Sequence, residues 1–148
     1  MDRPRAEKTM TTKLAHFTQK AREEPRERFN SLMGLLFDPE GLHASFRRQA
    51  LSKAPGVDGM RKADYADGLE DRIEDLSGRL RRLGYRPQPS RRAYIRKGGG
   101  RYRPLGVPSF EDRLVQDRLS QILQAVWEPE FLECSYGVVF HNKLKSFC

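Results

Sequence analysis

A basic segment without any acidic residue occupies the middle of this chain. Between Arg79 and Arg103 the sequence has no Asp or Glu, and its ten basic residues stand at positions 79, 81, 82, 86, 91, 92, 96, 97, 101 and 103. Three tyrosines, at positions 85, 94 and 102, are interleaved with them. Lys and Arg bind an anionic backbone by releasing its counterions, and exposed aromatic rings stack on bases. This surface is therefore expected to bind a polyanion.

The second half of this segment has the pattern of a β-hairpin. Residues 91–96 and 101–107 contain β-branched and aromatic residues, and they are separated by Lys97-Gly98-Gly99-Gly100. Lys97 and Arg103 flank the glycine turn on adjacent strands, so both can lean toward one ligand. A lysine supplies a compact point charge and an arginine fork binds two phosphate oxygens, which suits a triphosphate. The alternative is a solvated edge hairpin whose basic residues guard against aggregation.

Apolar periodicity predicts helices on both sides of the hairpin. The helix before it has Gly84 as its stop and an apolar seam made of Leu69, Ile73, Leu76, Leu80 and Leu83. After the hairpin, Ser109 and Asp112 form a capping-box pattern that opens a long helix with an apolar stripe. The spacing over 29–36 and the Asp38-Pro39 pair predict two earlier helices. The predicted fold class is α+β, with N-terminal helices, a hairpin and a long following helix.

Residues 1–28 read differently from the rest. They mix Arg, Lys, Glu and Thr, and Leu14 and Phe17 are almost their only large apolar groups. So few apolar side chains cannot offset the entropy of ordering the segment. A mobile basic arm is therefore predicted for 1–28.

Composition limits the class of partner and the cellular compartment that are expected for this protein. The chain has 148 residues and a net charge of +8, which favours nucleic acid over acidic small molecules, with a membrane surface as the weaker alternative. No apolar run approaches the length of a membrane span and the N-terminus lacks the apolar core of a signal peptide, so a cytoplasmic protein is expected. Cys134 and Cys148 stand singly, so neither a zinc site nor a disulfide framework is indicated.

Several ordered blocks resemble the N-terminal blocks of group II intron reverse transcriptases, which are RNA-directed DNA polymerases that often have maturase activity. The resemblance covers about residues 54–137, more than half of the chain. It is carried by Ala54-Pro-Gly-Val-Asp-Gly59, Gly84-Tyr85-x-Pro87, Arg91-Arg92-x-Tyr94-Ile95-x-Lys97, Arg103-Pro-Leu-Gly-Val-Pro108, Asp112-Arg113-x-Val115-Gln116, Glu128-Pro129-x-Phe131 and Ser135-Tyr136-Gly137.

The resemblance implies that residues 29–137 are the family's N-terminal extension and fingers, with the hairpin lying over the template and the incoming nucleotide. Lys97 and Arg103 match the family positions that contact the deoxynucleotide triphosphate. Template or intron RNA would face Arg91, Arg92 and Arg101. The basic and aromatic pattern adds six further candidates for RNA binding, namely Arg81, Arg82, Arg86, Arg96, Tyr94 and Tyr102.

The sequence departs from the family after Gly137. The family continues with Phe-Arg-Pro-Gly-Arg and a strand ending in the first catalytic aspartate, whereas residues 138–148 do not match. We interpret 138–148 as a divergent tail left by a truncation or frameshift, so that the palm is missing. Polymerisation by two metal ions needs carboxylates around Mg²⁺. No catalytic residue, metal ligand or cofactor is therefore assigned in this chain, and Mg²⁺ is expected only in the full-length enzyme.

One short motif imitates the family's catalytic Tyr-Ala-Asp-Asp signature. Tyr65-Ala66-Asp67-Gly68 stands before the hairpin, ends in Gly and leads into a helix, so we interpret it as coincidence. The acidic residues around it suit the N-terminal turns of that helix.

Three functions follow from these patterns. The leading hypothesis is the fingers-bearing fragment of a group II intron polymerase, which binds RNA template and nucleotide but is not catalytic alone. The alternative is a free RNA-binding module that acts on intron RNA or complements a separate palm-containing chain. The third is an unrelated basic structural protein whose hairpin only mimics the family.

Overall fold

The computed structural model describes residues 5–24 and 28–130. In chain order its helices are α1 (Arg5–Glu23), α2 (Leu32–Leu36), α3 (Pro39–Arg48), α4 (Lys62–Ala66), α5 (Leu69–Arg81) and α6 (Phe110–Trp127). The antiparallel strands β1 (Arg91–Arg96) and β2 (Tyr102–Val107) lie between α5 and α6, and a 3₁₀ turn (Glu128–Glu130) follows α6. The predicted α+β class is confirmed. The predictions made for Cys134, for the Ser135–Gly137 block, for the divergent tail at 138–148 and for Cys148 concern residues outside the described ranges.

The core is built where α3, α5 and α6 meet. Its centre is a cluster of three aromatic rings, in which the ring of Tyr65 lies 4.9 Å from that of Phe110 and 6.2 Å from that of Phe46. Apolar side chains at helical spacing surround these rings and are buried, namely Leu42, Ile73, Leu76, Leu80, Leu114 and Val115. The buried residues lie on the predicted apolar stripes, except that Leu83 of the predicted α5 seam lies beyond the end of the helix and is exposed.

A buried arginine joins α6 to the N-terminal helices. The side chain of Arg118 is 1% exposed, and its Nε donates to the carbonyl oxygen of Leu35 at 2.9 Å. Gly41 allows this close approach, because a Cβ there would lie 2.5 Å from the Arg118 Nε. Burial lowers the pKa of Arg118. Asp38 caps the same region as predicted, since its carboxylate accepts from the Gly41 N–H at 2.9 Å.

The segment predicted as a mobile arm contains a helix instead. Helix α1 contacts α3 and α6, and its Ala21 is 2% exposed. Phe17 is half-buried, with its ring 5.6 Å from the ring of Phe29 in an edge-on arrangement. The expectation of an unstructured arm is thus wrong for 5–23. The prediction considered only large apolar side chains. The small side chain of Ala21 was therefore left out, although this residue is buried in the structure.

Among the described residues, no helix combines the length and the apolar character that a membrane span requires.

Helix α5 ends one residue earlier than the glycine signal predicted. Leu83 N–H donates to Leu80 C=O at 3.2 Å and Gly84 N–H donates to Arg79 C=O at 2.9 Å, which is the pair of bonds of a Schellman motif. The residue in the left-handed conformation is Leu83, with φ of 56°, and Gly84 does not adopt a positive φ. The positive φ that glycine tolerates best is therefore imposed on a leucine.

Replacing Leu83 with glycine should stabilise the protein. The left-handed conformation costs a residue with a Cβ about 1–2 kcal/mol, which exceeds the roughly 0.5–1 kcal/mol of extra chain entropy that glycine loses on folding. Leu83 is 72% exposed, so little packing is lost. We expect Leu83→Gly to raise the free energy of unfolding by about 0.5–1 kcal/mol in urea titrations followed by circular dichroism.

Gly84→Ala is the matched control. A Cβ at Gly84 would meet only the Arg79 carbonyl oxygen, at 3.8 Å, so this variant should be close to neutral. A destabilised Gly84→Ala together with an unchanged Leu83→Gly would contradict this assignment of the helix end.

Candidate nucleic-acid interface

The hairpin is closed by a glycine turn that fixes its register. Lys97 N–H donates to Arg101 C=O at 2.7 Å, and Gly99 and Gly100 take φ values of 76° and 74° in the turn. These positive φ values suit glycine because it has no Cβ. In the resulting ladder Arg91 lies opposite Val107, Ile95 opposite Arg103, and Arg96 opposite Tyr102.

This register separates the predicted site residues onto two faces, because successive side chains of a strand point to opposite sides. We define the lysine face by Arg91, Ala93, Ile95, Lys97, Arg101, Arg103, Leu105 and Val107. We define the tyrosine face by Arg92, Tyr94, Arg96, Tyr102, Pro104 and Gly106. Lys97 and Arg103 therefore share one face, as their proposed role requires, and the two tyrosines share the other.

Five cations of the hairpin have no side-chain partner in the described part of the chain. Within the described residues, no side-chain hydrogen bond or ion pair involves Arg92, Arg96, Lys97, Arg101 or Arg103, and all five are exposed. In the helical body some basic side chains are paired, as Arg48 Nη2 is with Asp117 Oδ2 at 2.9 Å, whereas the exposed Arg22 and Arg47 are not paired with any described residue. The hairpin thus carries positive charge that the described part of the molecule leaves uncompensated.

Three other candidates for RNA binding lie away from the hairpin. Arg81 and Arg82 are at the C-terminal end of α5, and the Arg81 guanidinium lies over the ring of Phe37, 5.1 Å from its centroid. Arg86 is exposed in the extended segment that follows. Arg81 and Arg82 thus belong to the end of α5 and Arg86 to the segment after it, outside the two strands.

Arg91 has a structural contact as well as an exposed side chain. Its Nε donates to the carbonyl oxygen of Pro55 at 3.0 Å. The loop over residues 54–59 therefore lies at the base of the lysine face. The tip of this face, with Lys97 and Arg103, is exposed.

Asp112, a residue of the predicted capping box, holds the segment that leads into β1. Ser109 Oγ accepts from the Asp112 N–H at 3.2 Å, which is the expected half of the box. The Asp112 carboxylate binds partners outside the box. It accepts hydrogen bonds from the Tyr85 hydroxyl and from the Gln88 N–H, the latter at 3.0 Å. Burial, and then the bond to Asp112, raise the pKa of Tyr85 and keep its hydroxyl a donor. The local pattern predicted the cap but not these partners.

Arg113 holds the loop over 54–59 against the end of β2. Its Nη2 donates to the carbonyl oxygen of Ala54, and its Nη2 and Nε both reach the carbonyl oxygen of Pro108 at 3.2 Å. Burial lowers the pKa of this arginine. Gly56 completes the junction, because a Cβ there would lie 2.6 Å from both Pro108 O and Ser109 Cα. Sequence reasoning assigned no role to Arg113, although it lies in one of the family blocks.

Arg79 is removed from the basic surface by ion pairs. Its guanidinium binds both oxygens of Glu111, with distances of 2.7 and 3.0 Å, and its Nε lies 2.8 Å from Asp75 Oδ2. The hydrogen bond to Glu111 is the largest cause of the raised pKa of Arg79. This arginine therefore joins α5 to the first turn of α6 and is half-buried.

The motif that imitates the catalytic signature is structural. Tyr65 is 2% exposed in the core and belongs to α4, whereas Asp67 is exposed in the turn after it. Burial, followed by the charge of Glu111, raises the pKa of Tyr65. Across residues 5–24 and 28–130, no group of three or more His, Cys, Asp or Glu side chains is placed to hold a metal ion.

A methyl group at Gly56 should disrupt the junction between loop and hairpin. The atoms that it would meet are backbone atoms of Pro108 and Ser109, which cannot rotate away as a side chain can. We expect Gly56→Ala to lower the free energy of unfolding by about 1–3 kcal/mol, as overpacking does elsewhere, in urea unfolding curves.

Gly98→Ala provides the comparison within the same chain. No atom lies within 4 Å of a Cβ at Gly98, so its effect should stay within the roughly 0.5 kcal/mol typical of surface substitutions. Equal losses from the two variants would contradict the close packing of the loop on the hairpin base.

Comparison with known proteins connects this arrangement to intron-encoded proteins. No protein-family profile matches the chain. The chain is 37% identical to protein YkfC of Escherichia coli K12 over 131 residues. These residues make up 86% of this chain and 34% of YkfC. The chain is also 32% identical to the group II intron-encoded protein LtrA of Lactococcus lactis subsp. cremoris over 126 residues. These residues make up 84% of this chain and 21% of LtrA.

A third relative comes from a eukaryote. An uncharacterised 91 kDa protein in the cob intron of Schizosaccharomyces pombe is 38% identical over 77 residues, which cover 51% of this chain and 10% of that protein. The chain thus spans about a third of the length of YkfC and about a fifth of LtrA. Across the residues matched, the chain is a homologue of group II intron-encoded proteins, which confirms the resemblance that its sequence blocks indicated.

Proposed function

We propose that this chain supplies RNA and nucleotide binding to a group II intron RNA-directed DNA polymerase, with the hairpin as part of its fingers. The observation that carries the proposal is the set of exposed, unpaired cations on both hairpin faces, in a stretch without acidic residues. Such charge attracts a phosphate backbone and is costly to concentrate without an anionic partner. Homology to the group II intron-encoded protein LtrA supports RNA as that partner.

The lysine face is assigned to the triphosphate of the incoming deoxynucleotide. Lys97 and Arg103 occupy diagonal positions across the ladder, so their charged groups can converge on one anion from the two strands. Arg101 adds a further exposed cation to this face.

Catalysis is assigned to a palm. Two-metal polymerisation requires carboxylates that hold Mg²⁺ against the primer oxygen and the triphosphate. In this proposal the described residues deliver template and nucleotide to those carboxylates. The palm belongs to the same enzyme or to a separate chain that complements this one.

A second candidate is a free module that binds intron RNA by itself. One observation favours it: the hairpin cations are exposed without any further subunit. Most of the apolar stripe of α6 packs within the chain, and its exposed large apolar side chains are Leu119 and Trp127. The module therefore needs no palm in order to cover most of that helix.

RNA binding should be strongly dependent on salt. Each phosphate contact with a single strand contributes a slope of about −0.7 to log affinity against log salt concentration. We expect Arg92→Ala/Arg96→Ala to make the slope of the chain for a single-stranded RNA shallower by roughly 1.4 in fluorescence anisotropy. Arg22→Ala/Arg47→Ala removes the same charge from exposed positions on α1 and α3 and should leave the slope nearly unchanged. A slope near zero for the unmodified chain would rule out this function.

Nucleotide binding should depend on the lysine face alone. Lys97→Ala/Arg103→Ala removes two charge-assisted hydrogen bonds. Each loss should lower the affinity for deoxythymidine triphosphate about tenfold in an NMR titration. Arg92→Ala/Arg96→Ala removes the same charge from the opposite face and should weaken this affinity by no more than about threefold, as expected for long-range attraction. Equal losses from the two pairs would mean that the anion is attracted only by net charge.

A further inference from the structure

We infer that the tyrosine face of the hairpin is a stacking platform for an unpaired nucleic-acid strand, and that this site is distinct from the Lys97 and Arg103 pair. The inference rests on the proposed function, because it names the form of nucleic acid that one hairpin face recognises. It follows from the ladder register, the exposure of two rings and the charges beside them.

The register places the two tyrosines diagonally across the ladder. Tyr94 lies opposite Pro104, and Tyr102 lies two residues before Pro104 on the same strand, opposite Arg96. Diagonal neighbours in an antiparallel pair are about 7–8 Å apart. This is roughly twice the 3.4 Å rise per nucleotide of a stacked strand, so the two rings match bases that are not stacked directly on one another.

Both rings are available for a ligand. Tyr94 is 64% exposed and Tyr102 is 61% exposed, and within the described residues neither makes a ring contact or a side-chain hydrogen bond. The other two tyrosines within residues 28–130 have defined structural roles, since Tyr65 lies in the core and the Tyr85 hydroxyl binds Asp112. Large exposed rings cost hydration free energy that a stacked base would recover.

The remaining positions of this face favour a polyanionic strand. Arg92 and Arg96 flank Tyr94 on β1, so two unpaired cations lie beside the rings to accept phosphates. Gly106 and Pro104 carry neither a charged nor a large side chain, and the Ser90 Cβ lies 3.3 Å from the Cβ position of Gly106. Aromatic side chains flanked by cations are the combination with which proteins bind single-stranded nucleic acid.

The lysine face lacks these properties. Its uncharged positions are Ala93, Ile95, Leu105 and Val107, which offer no aromatic surface for a base. Cations at Lys97 and Arg103 suit phosphates, whereas the tyrosine face adds recognition of the bases themselves. Because bases inside a duplex are already stacked and paired, this face should discriminate against duplexes.

Binding of a fluorescein-labelled oligouridylate to the full chain, compared with a duplex RNA of the same length, tests the inference. Stacking contributes a factor of at least about five in affinity per tyrosine. Tyr94→Ala and Tyr102→Ala should each weaken binding of the single strand by this factor or more, and should change binding of the duplex less than twofold. Tyr94→Phe/Tyr102→Phe should bind both probes like the unmodified chain, because phenylalanine retains the ring.

Ile95→Ala/Leu105→Ala is the control for loss of hairpin structure. These residues are 39% and 43% exposed on the opposite face, and truncating them should leave affinity for the oligouridylate within about twofold. If this pair weakens binding as much as the tyrosine variants do, or if alanine at Tyr94 and Tyr102 has no effect, the platform is refuted.

Crosslinking supplies a readout that requires no substitution. An oligomer containing 4-thiouridine, irradiated with the unmodified chain, should crosslink to Tyr94 or Tyr102 when the peptides are mapped by mass spectrometry. Crosslinks confined to other residues would also refute the platform. Salt-dependent RNA binding without any contribution from the tyrosines would leave the proposed function intact, whereas no RNA binding at all would remove both.

Discussion

Asp112 connects the basic hairpin to the helical body. The carboxylate is 3% exposed, lies in the first turn of α6, and accepts from Tyr85 and Gln88 on the segment that leads into β1. Ser109, at the end of the segment that leaves β2, caps the same helical turn. A negative charge at this position is favoured by the helix dipole, and its hydrogen bonds offset the cost of burial. Both chain segments that carry the hairpin are thus fixed to one turn of helix.

The neighbouring residue extends this constraint to a second loop. Arg113 binds carbonyl oxygens of Ala54 and Pro108, and Gly56 lets the loop approach the hairpin base without a side chain between them. Arg91 adds a bond to Pro55. Four separate blocks of the family resemblance therefore meet at one place in the structure. Their spacing along the sequence reflects one junction that positions the exposed faces of the hairpin.

Local patterns predicted the elements of this fold, whereas contacts distant in sequence escaped them. Periodicity and glycine signals were sufficient for α5, both strands and α6, because these depend on nearby residues. The partners of Asp112 lie 24 and 27 residues away, so a capping pattern could not indicate them. Leu83, in place of the neighbouring glycine, took the left-handed conformation because the Schellman bonds fix where α5 ends. Ala21 was missed because its small side chain carries little hydrophobic signal.

The separation of Lys97 and Arg103 from the two tyrosines depends on register alone. The sequence suggested one mixed surface of cations and tyrosines, and only the pairing of Ile95 with Arg103 and of Arg96 with Tyr102 divides it into two faces. A shift of one residue would move every side chain of a strand to the other face. It would bring Arg103 beside Tyr94 and take it away from Lys97. The positive φ values of Gly99 and Gly100 therefore do more than close a turn, because they hold the register that keeps Lys97 and Arg103 on the face opposite to the two tyrosines.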